Sequence, residues 1–395
     1  MLSRTVFLAL FILLAGQIGC NAEDDDVKLA EANNHFALKL LKELSSETPE
    51  SNLFFSPTSI SVALAMVYAG ARGNSETELS STLGHTAAGL STRESVLVSY
   101  KKIQMQLQTE GVTLDVANAI LVRKNLKVLD SYRKDMVNSF AAKFRSVDFV
   151  TETSAVLSEI NEWVNNKTRG KIPDIAGKEM SADTVMVLLN AVYFKGLWET
   201  AFDSRNTALD RFYNRGSKKV SVKTMMRKGE VPSSFEPDLK SRAVELSYKG
   251  GQYSMVIVLP SERSGLAELR SAMTVENLKK IRKNMRPLTL VIRLPKFDLN
   301  TEYGLTPVLK KLGLSSIFAD ADLSGITGDR ELVVTDVKHK AAIEVNEEGT
   351  VATAATMVVT SKMGPPSFDV DHPFLFYILE NATGRVLFLG EVQEL

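Results

Sequence analysis

The segment that decides the fold runs from Ile343 to Phe376 and has the sequence IEVNEEGTVATAATMVVTSKMGPPSFDVDHPFLF. Between Thr350 and Ser361 it contains no charged residue, no proline and no aromatic residue. A stretch composed mostly of Thr, Val and Ala favours an extended backbone. An exposed strand of this kind is an aggregation hazard, because its free N–H and C=O groups can pair with any open sheet edge. The sequence therefore predicts that this segment enters a β-sheet.

The alternation of side chains along a strand supports the same prediction, since one alternate set must fit inside a closing sheet. That set is small and uncharged, and consists of Thr350, Ala352, Ala354 and Thr356. A proline in this set would remove a ladder donor and a lysine would bury a charge, and neither occurs. The stretch that follows, from Lys362 to Pro366, contains a glycine and two prolines and predicts an exposed loop.

Length and composition indicate a globular protein. The chain has 395 residues, of which 44% are hydrophobic and 24% are charged, with a formal net charge of zero. Its length suits one large domain or two ordinary ones. The charge balance does not favour nucleic acid or a membrane surface as the main partner.

The N-terminus has the pattern of a secretory signal. Arg4 precedes an apolar run from Val6 to Gly16, and small residues at 20–22 precede an acidic stretch. We expect residues 1–22 to be the signal peptide and residues 23–395 to be one secreted, extracellular domain. The apolar run is shorter than the roughly 20 residues of a membrane-spanning helix, although an N-terminal anchor is the alternative. Cys20 is the only cysteine, so the mature chain is predicted to contain no disulfide. Asn166 and Asn381 begin N-x-[ST] sequons and are candidate glycosylation sites.

Hydrophobic periodicity predicts an α+β protein without internal repeats. Helices are predicted at 27–44, from Pro57 to about 70, at 93–108, at 131–144 and from 159 towards 171. Strands are predicted at 113–122, 184–194, 254–259, 288–294, 332–337, 374–379 and 386–392. Helices and strands occur along one chain without a compositional boundary, which favours a single domain.

Six segments in the same order resemble the serpins, a family of protease inhibitors. They are NLFFSPTSISVALAMVYAGARGNS (52–75), NEWVNNKTRGKI (161–172), LLNAVYFKGLWE (188–199), LPKFDL (294–299), KHKAAIEVNEEGT (338–350) and DHPFLFYI (371–378). The resemblance is closest to secreted arthropod serpins, including those of ticks. It implies a single α+β domain with three β-sheets, eight to nine helices and an exposed reactive-centre loop at about 347–367. It also implies a monomer that traps serine proteases covalently and acts in haemostasis or immune modulation.

The resemblance assigns roles to particular residues. The hinge of the reactive-centre loop corresponds to Glu347, Glu348, Gly349, Thr350, Val351, Ala352, Thr353, Ala354, Ala355 and Thr356. A polar cluster beneath the central sheet corresponds to Ser56, Ser59, Asn190 and His339. Trp198 corresponds to the aromatic residue near the point where the loop would insert. These are structural roles, because the protease supplies all the catalytic groups.

Two positions remain open for the reactive residue. Counting about sixteen residues from the hinge glutamate Glu347 favours cleavage between Met363 and Gly364, whereas counting back from the following strand favours Lys362 and Met363. Met would suit the apolar primary pocket of an elastase-like or chymotrypsin-like protease, and Lys would suit a trypsin-like pocket.

Other functions have weaker support. The four histidines are scattered, and no HExxH, GxSxG or GxxxxGK[ST] motif occurs, so we predict neither an enzyme nor a cofactor. The spacing of Asp320, Asp322 and Glu331 matches a calcium loop but lacks its flanking helices, so no metal site is predicted. A non-inhibitory serpin acting as a carrier is a second alternative, although such proteins usually have bulky, charged or proline residues in the hinge. One basic cluster could bind heparin-like glycosaminoglycans or be a solvated helix face, and it consists of Lys279, Lys280, Arg282, Lys283 and Arg286.

Overall fold

The computed structural model describes residues 4–90, 92–106, 110–177, 179–349 and 364–395. Its α-helices are α1 Arg4–Glu47, α2 Pro57–Gly70, α3 Gly73–Leu83, α4 Arg93–Gln106, α5 Asp130–Phe140, α6 Thr153–Lys167, α7 Leu266–Ala272, α8 Val275–Asn284, α9 Thr306–Lys311 and α10 Ser324–Thr327. Its strands are β1 Leu53–Phe55, β2 Val112–Arg123, β3 Lys143–Val147, β4 Met186–Gly196, β5 Ala208–Asn214, β6 Lys218–Glu236, β7 Ser241–Ser247, β8 Tyr253–Pro260, β9 Arg286–Pro295, β10 Phe297–Gly304, β11 Asp336–Val345, β12 Ser367–Asp369, β13 Phe374–Glu380 and β14 Val386–Val392.

These strands form a five-stranded sheet and a nine-stranded sheet. The five-stranded sheet has the order β10-β11-β4-β2-β3, and the other has the order β1-β14-β13-β8-β7-β6-β9-β12 with β5 paired to β6. The three sheets implied by the family resemblance become two hydrogen-bonded sheets because β6 belongs to both halves of the larger one. It pairs with β9 over Thr224–Ser233 and with β7 over Ser233–Glu236.

Helix α2 occupies the centre of the largest core cluster, and every one of its residues is buried. It begins after Ser56, whose side-chain oxygen accepts a hydrogen bond from the Ser59 N–H, and Pro57 occupies its first turn. A second apolar cluster combines inward side chains of both sheets, and a third lies between α6 and the five-stranded sheet. The five-stranded sheet is therefore covered on both faces.

Several predicted boundaries differ from the structure. The helix predicted at 131–144 ends at Phe140, because Ala141 adopts a left-handed conformation and β3 begins at Lys143. The strand predicted at 332–337 begins only at Asp336. Helix α3 was not predicted, since only four of its side chains are buried and its apolar pattern is weak. None of the helices in the described ranges is long and apolar enough to cross a membrane.

Candidate functional site: a closed strand pair and the hinge beside it

The site is built around the pairing of β4 and β11. These two strands lie parallel and pair directly, from Asp336 opposite Val187 to Ile343 opposite Phe194. No strand lies between them, so the sheet is closed along this line, which we call the seam. The hinge residues predicted from sequence begin immediately after β11, at one end of the seam.

A row of polar side chains crosses the seam on the face covered by α2. His339 of β11 lies opposite Asn190 of β4, which lies opposite Asn118 of β2. The His339 Nδ1 and Asn190 Oδ1 atoms are 2.6 Å apart, and Asn190 Nδ2 donates to Asn118 Oδ1 at 2.6 Å. All three side chains are buried in the core. A hydrogen bond between side chains therefore reinforces the backbone pairing across the seam.

Helix α2 completes the hydrogen bonding of this row. The Ser56 N–H donates to His339 Nε2 at 3.1 Å, and Asn190 Nδ2 also donates to Ser59 Oγ at 2.6 Å. Because His339 Nε2 accepts a hydrogen bond, the proton of the neutral ring must be on Nδ1, where it is donated to Asn190. Burial lowers the pKa of His339 to about 3, so the ring is neutral at physiological pH.

Sequence reasoning placed Ser56, Ser59, Asn190 and His339 together, and the structure brings all four into this network. It missed Asn118, which shares the Asn190 amide. A signal was available, because Asn118 is the one amide within the mostly apolar run of residues 116–122 in β2. Buried polar side chains in a strand require partners, so an isolated asparagine of this kind indicates a hydrogen-bonded row.

Trp198 lies just after the C-terminal end of β4 and contacts the hinge. Its N–H donates to the Glu348 carbonyl at 3.0 Å, and its indole Nε1 donates to the Asn346 carbonyl at 2.8 Å. The indole is buried and stacks on Tyr248, with ring centroids 4.6 Å apart. The tryptophan therefore lies at the end of the seam, in contact with the first hinge residues.

Gly349 is required by this close approach. A Cβ atom at this position would lie 2.4 Å from the Trp198 carbonyl oxygen and 2.9 Å from its N and Cβ atoms. Two of these three neighbours are backbone atoms and cannot rotate away. Any larger residue at 349 must therefore push the hinge away from Trp198.

The two hinge glutamates make ion pairs of different kinds. Glu347 binds Lys296 Nζ at 2.6 Å and the Thr207 hydroxyl at 2.7 Å, and its side chain is 14% exposed. Burial favours the neutral carboxyl, but the lysine and the hydroxyl outweigh it and keep the pKa of Glu347 below its ordinary value. Glu348 binds Lys195 at 2.7 Å, but its side chain is 55% exposed. The Glu347–Lys296 ion pair therefore binds the hinge to the rest of the protein more strongly than the Glu348–Lys195 ion pair does.

The predicted reactive-centre loop is followed by β12, which pairs with β9. The Val291 N–H of β9 donates to the Pro366 carbonyl at 3.0 Å, and Ser367 pairs with Val291 in a parallel ladder. Gly364 is exposed. The other predicted reactive residues, Lys362 and Met363, and the hinge residues from Thr350 to Thr356 lie outside the described residues.

The two sequons differ in accessibility. Asn166 is exposed near the end of α6. Asn381 is half-buried, and its Nδ2 atom donates to the Gly251 carbonyl at 2.9 Å and to Ser254 Oγ at 3.0 Å. A glycan on the Asn381 amide would remove one of the two protons used in these bonds.

The basic cluster is largely engaged with acidic side chains and carbonyl groups. Lys279 pairs with Glu31, Lys280 pairs with Asp238 and Arg282 pairs with Glu245, at 2.6 to 3.2 Å. The Arg286 guanidinium donates to the carbonyls of Lys283 and Met285. The three ion pairs with carboxylates reduce the positive field available to a polyanion and favour the solvated-face interpretation, whereas Arg286 keeps its charge. No group of three or more His, Cys, Asp or Glu side chains in the described ranges is placed to hold a metal ion.

Comparison with known proteins identifies the family. The serpin family, described as serine protease inhibitors, matches residues 31–395. Iripin-2 of Ixodes ricinus is 41% identical, with 100% of this chain and 99% of the relative covered. Intracellular coagulation inhibitor 1 of Tachypleus tridentatus is 36% identical over 93% of this chain and 90% of the relative. The crystal structure of the mouse protein-Z dependent protease inhibitor superimposes with a TM-score of 0.87 at 27% identity, covering 94% of this chain and 98% of that one.

The chain therefore belongs to the serpin family, and the α+β serpin fold predicted from the sequence is confirmed. The resemblance to tick serpins is also confirmed by the identity to Iripin-2.

Proposed function

We propose that this protein inhibits serine proteases by covalent trapping, and that it is not itself an enzyme. The observation that carries the proposal is the closed β4–β11 seam, which ends at the hinge of a loop whose sequence is suited to insertion. Membership of a family of protease inhibitors supports the general activity. The trapping mechanism and the reactive bond are part of the proposal.

The proposed first step is attack by the protease serine on the carbonyl of residue 363. An ester forms between the serine oxygen and this carbonyl, the peptide bond to Gly364 breaks, and the Gly364 amine leaves with the proton delivered by the protease histidine. The protease is then attached to the new end of the hinge segment. Hydrolysis of the ester would release it, so trapping requires a faster competing step.

The competing step is insertion of residues 350–362 into the seam. Because the hinge follows the C-terminal end of β11, a segment that turns back between β4 and β11 runs antiparallel to both. One parallel ladder is thereby replaced by two antiparallel ladders, which are slightly more stable per residue and add a full strand of hydrogen bonds. The closed state must therefore be metastable, and insertion carries the attached protease away from the hinge.

Opening the seam has a local cost that keeps the intact protein closed. The hydrogen bond between His339 and Asn190 must break, together with the contacts of the hinge to Trp198 and Lys296. These groups are buried or half-buried, so their separation costs more than that of exposed polar groups. Cleavage releases one end of the segment 350–362. The segment can then insert between β4 and β11 and form new backbone hydrogen bonds in place of the broken contacts.

The target class follows from the reactive residue. With Met363 as the residue that enters the primary pocket, we expect an elastase-like or chymotrypsin-like target, and with Lys362 a trypsin-like one. We further propose that the protein acts as an extracellular monomer and that Asn166 is its main glycosylation site. The pairing of the basic cluster makes a glycosaminoglycan a weaker proposal.

The experiment is incubation with elastase, chymotrypsin and trypsin, followed by denaturing electrophoresis. A complex that survives SDS supports trapping, whereas cleavage without a complex supports a non-inhibitory carrier. Mass spectrometry of the released C-terminal peptide identifies the bond, and a peptide that begins at Met363 would contradict the Met363 assignment.

A matched pair of hinge variants tests insertion itself. Thr350→Arg places a charge in the set that must be buried in the sheet, whereas Val351→Arg places the same charge in the alternate set. We expect the first to convert the inhibitor into a substrate and the second to retain trapping. Ala354→Pro should act as Thr350→Arg does, because proline removes a ladder donor. Equal complex formation by all three variants would refute the insertion mechanism.

A further inference from the structure

Two large apolar side chains are exposed near the returning end of the reactive-centre loop. Phe235 of β6 is 64% exposed and Leu288 of β9 is 47% exposed. Isolated apolar residues on a surface are ordinary, but adjacent exposed ones often mark an interaction site. Strand pairing decides whether these two lie on the same face of the sheet.

Both residues lie on one face of the nine-stranded sheet. Leu288 lies opposite Val231, Arg286 lies opposite Ser233, and Phe235 lies opposite Arg242. Paired residues project to the same side of a sheet, as do alternate residues along a strand. Val231 is buried in the core between the two sheets. Phe235 and Leu288 therefore continue the core face beyond its edge into solvent.

This face adjoins the loop on the side that follows the scissile bond. Strand β12 runs parallel to β9 with Ser367 opposite Val291, so Gly364–Pro366 approach from the end of β9 that holds Leu288. The Arg242 guanidinium donates to the Ser367 carbonyl at 3.2 Å and lies 5.4 Å from the centre of the Phe368 ring. Phe235 is thus paired with a residue that contacts the loop terminus directly.

We propose that Phe235 and Leu288, flanked by Arg242 and Arg286, form a docking surface for the target protease. This surface would contact the protease beside the site that binds residues 364–366. The proposal rests on the proposed function, since it requires a protease to engage the loop at residues 362–364. An apolar protease surface bordered by carboxylates would complement these four residues.

The size of such complexes supports a contact outside the loop. Protease–inhibitor interfaces bury about 800 Å² per partner, and 20 to 30 residues on each side take part. A protease that holds residue 363 in its primary pocket extends over the segment 364–366 and therefore over the neighbouring end of β9. Leu288 lies at that end of β9, and Phe235 lies on the same face of the sheet.

The test uses the full chain with both apolar side chains removed, F235A/L288A. Its matched control is Leu209→Ala, since Leu209 is 70% exposed but lies on β5, opposite Lys223 and near the other end of β9. Two measurements are made with whichever of chymotrypsin, elastase or trypsin engages the loop. They are the association rate constant of inhibition and the Kd for the serine-to-alanine form of the same protease, which binds without forming the ester.

We expect F235A/L288A to lower the association rate constant and weaken the Kd by about tenfold in total, which corresponds to a loss of about 1.4 kcal/mol shared by the two apolar contacts. The number of inhibitor molecules consumed per protease should not change, because that ratio depends on insertion after the ester forms. Leu209→Ala should match the unaltered chain in both measurements. Unchanged constants in F235A/L288A, or an equal loss in Leu209→Ala, would overturn the proposal. Binding to the inert protease without covalent complex formation by the active one would refute trapping while still testing the docking surface.

Discussion

The two adjacent hinge glutamates provide a stringent test of how the closed state is held. Glu347→Ala removes an ion pair with Lys296 and a hydrogen bond from Thr207, whereas Glu348→Ala removes one ion pair with Lys195. Both substitutions leave the backbone bond from Trp198 to residue 348 in place. The two variants differ by one position in the chain and by the burial of the lost carboxylate.

The expected magnitudes follow from that burial. Charge-assisted hydrogen bonds contribute about 1.5–3 kcal/mol when shielded from water. Lys296 is 34% exposed and can be partly resolvated, so we expect Glu347→Ala to destabilise the closed hinge by about 2 kcal/mol. The Glu348 carboxylate is mostly in solvent, and such pairs contribute less than about 1 kcal/mol. At about 1.4 kcal/mol per tenfold, the opening equilibrium should shift about 30-fold in the first variant and less than about fivefold in the second.

The assay is insertion of a synthetic peptide with the sequence of residues 350–362 into the seam of the intact protein. Insertion adds a strand and should raise the thermal midpoint, because the peptide binds the opened native sheet and not the unfolded chain. Its rate follows the population of the open seam. Equal acceleration by both variants, or acceleration by neither, would show that the Lys296 and Thr207 contacts do not hold the hinge closed.

Three further predictions concern individual residues. Gly349→Ala should also accelerate peptide insertion, because the added Cβ would lie 2.4 Å from the Trp198 carbonyl oxygen, and an unchanged rate would contradict that clash. His339 has a folded pKa of about 3 against about 6.5 when unfolded, so the free energy of unfolding should fall by about 1.4 kcal/mol per pH unit from pH 6.5 towards 3. In denaturation curves between pH 7.5 and 5, His339→Gln should show a shallower decline, and an identical slope would refute this role. Asn166→Gln should remove most of the glycan mass seen by electrophoresis, whereas Asn381→Gln should lower the thermal midpoint with little change in mass.

Much of the fold could be predicted from local patterns along the chain. The helix α2 and the buried strands β4, β13 and β14 have strong hydrophobic patterns, and the predictions for these elements and for α4 were correct to within a few residues. Strand β6 was not predicted, because its alternating charged residues lack the apolar pattern that the sheet interior requires. Its pairing with both β9 and β7 is the reason that two hydrogen-bonded sheets are found where the family resemblance implied three.

By itself, the sequence determined the family, and through the resemblance to that family it predicted the polar cluster of Ser56, Ser59, Asn190 and His339 and the position of the hinge. Each of these depends on residue type and order, which are visible along the chain. The tertiary structure alone decided that Glu347 is held more firmly than Glu348, that the Asn381 amide already donates two hydrogen bonds, and that Phe235 and Leu288 lie on one face. The physical reason is that their partners lie far away in sequence, so burial, pairing and exposure arise only when the sheets bring those distant residues together.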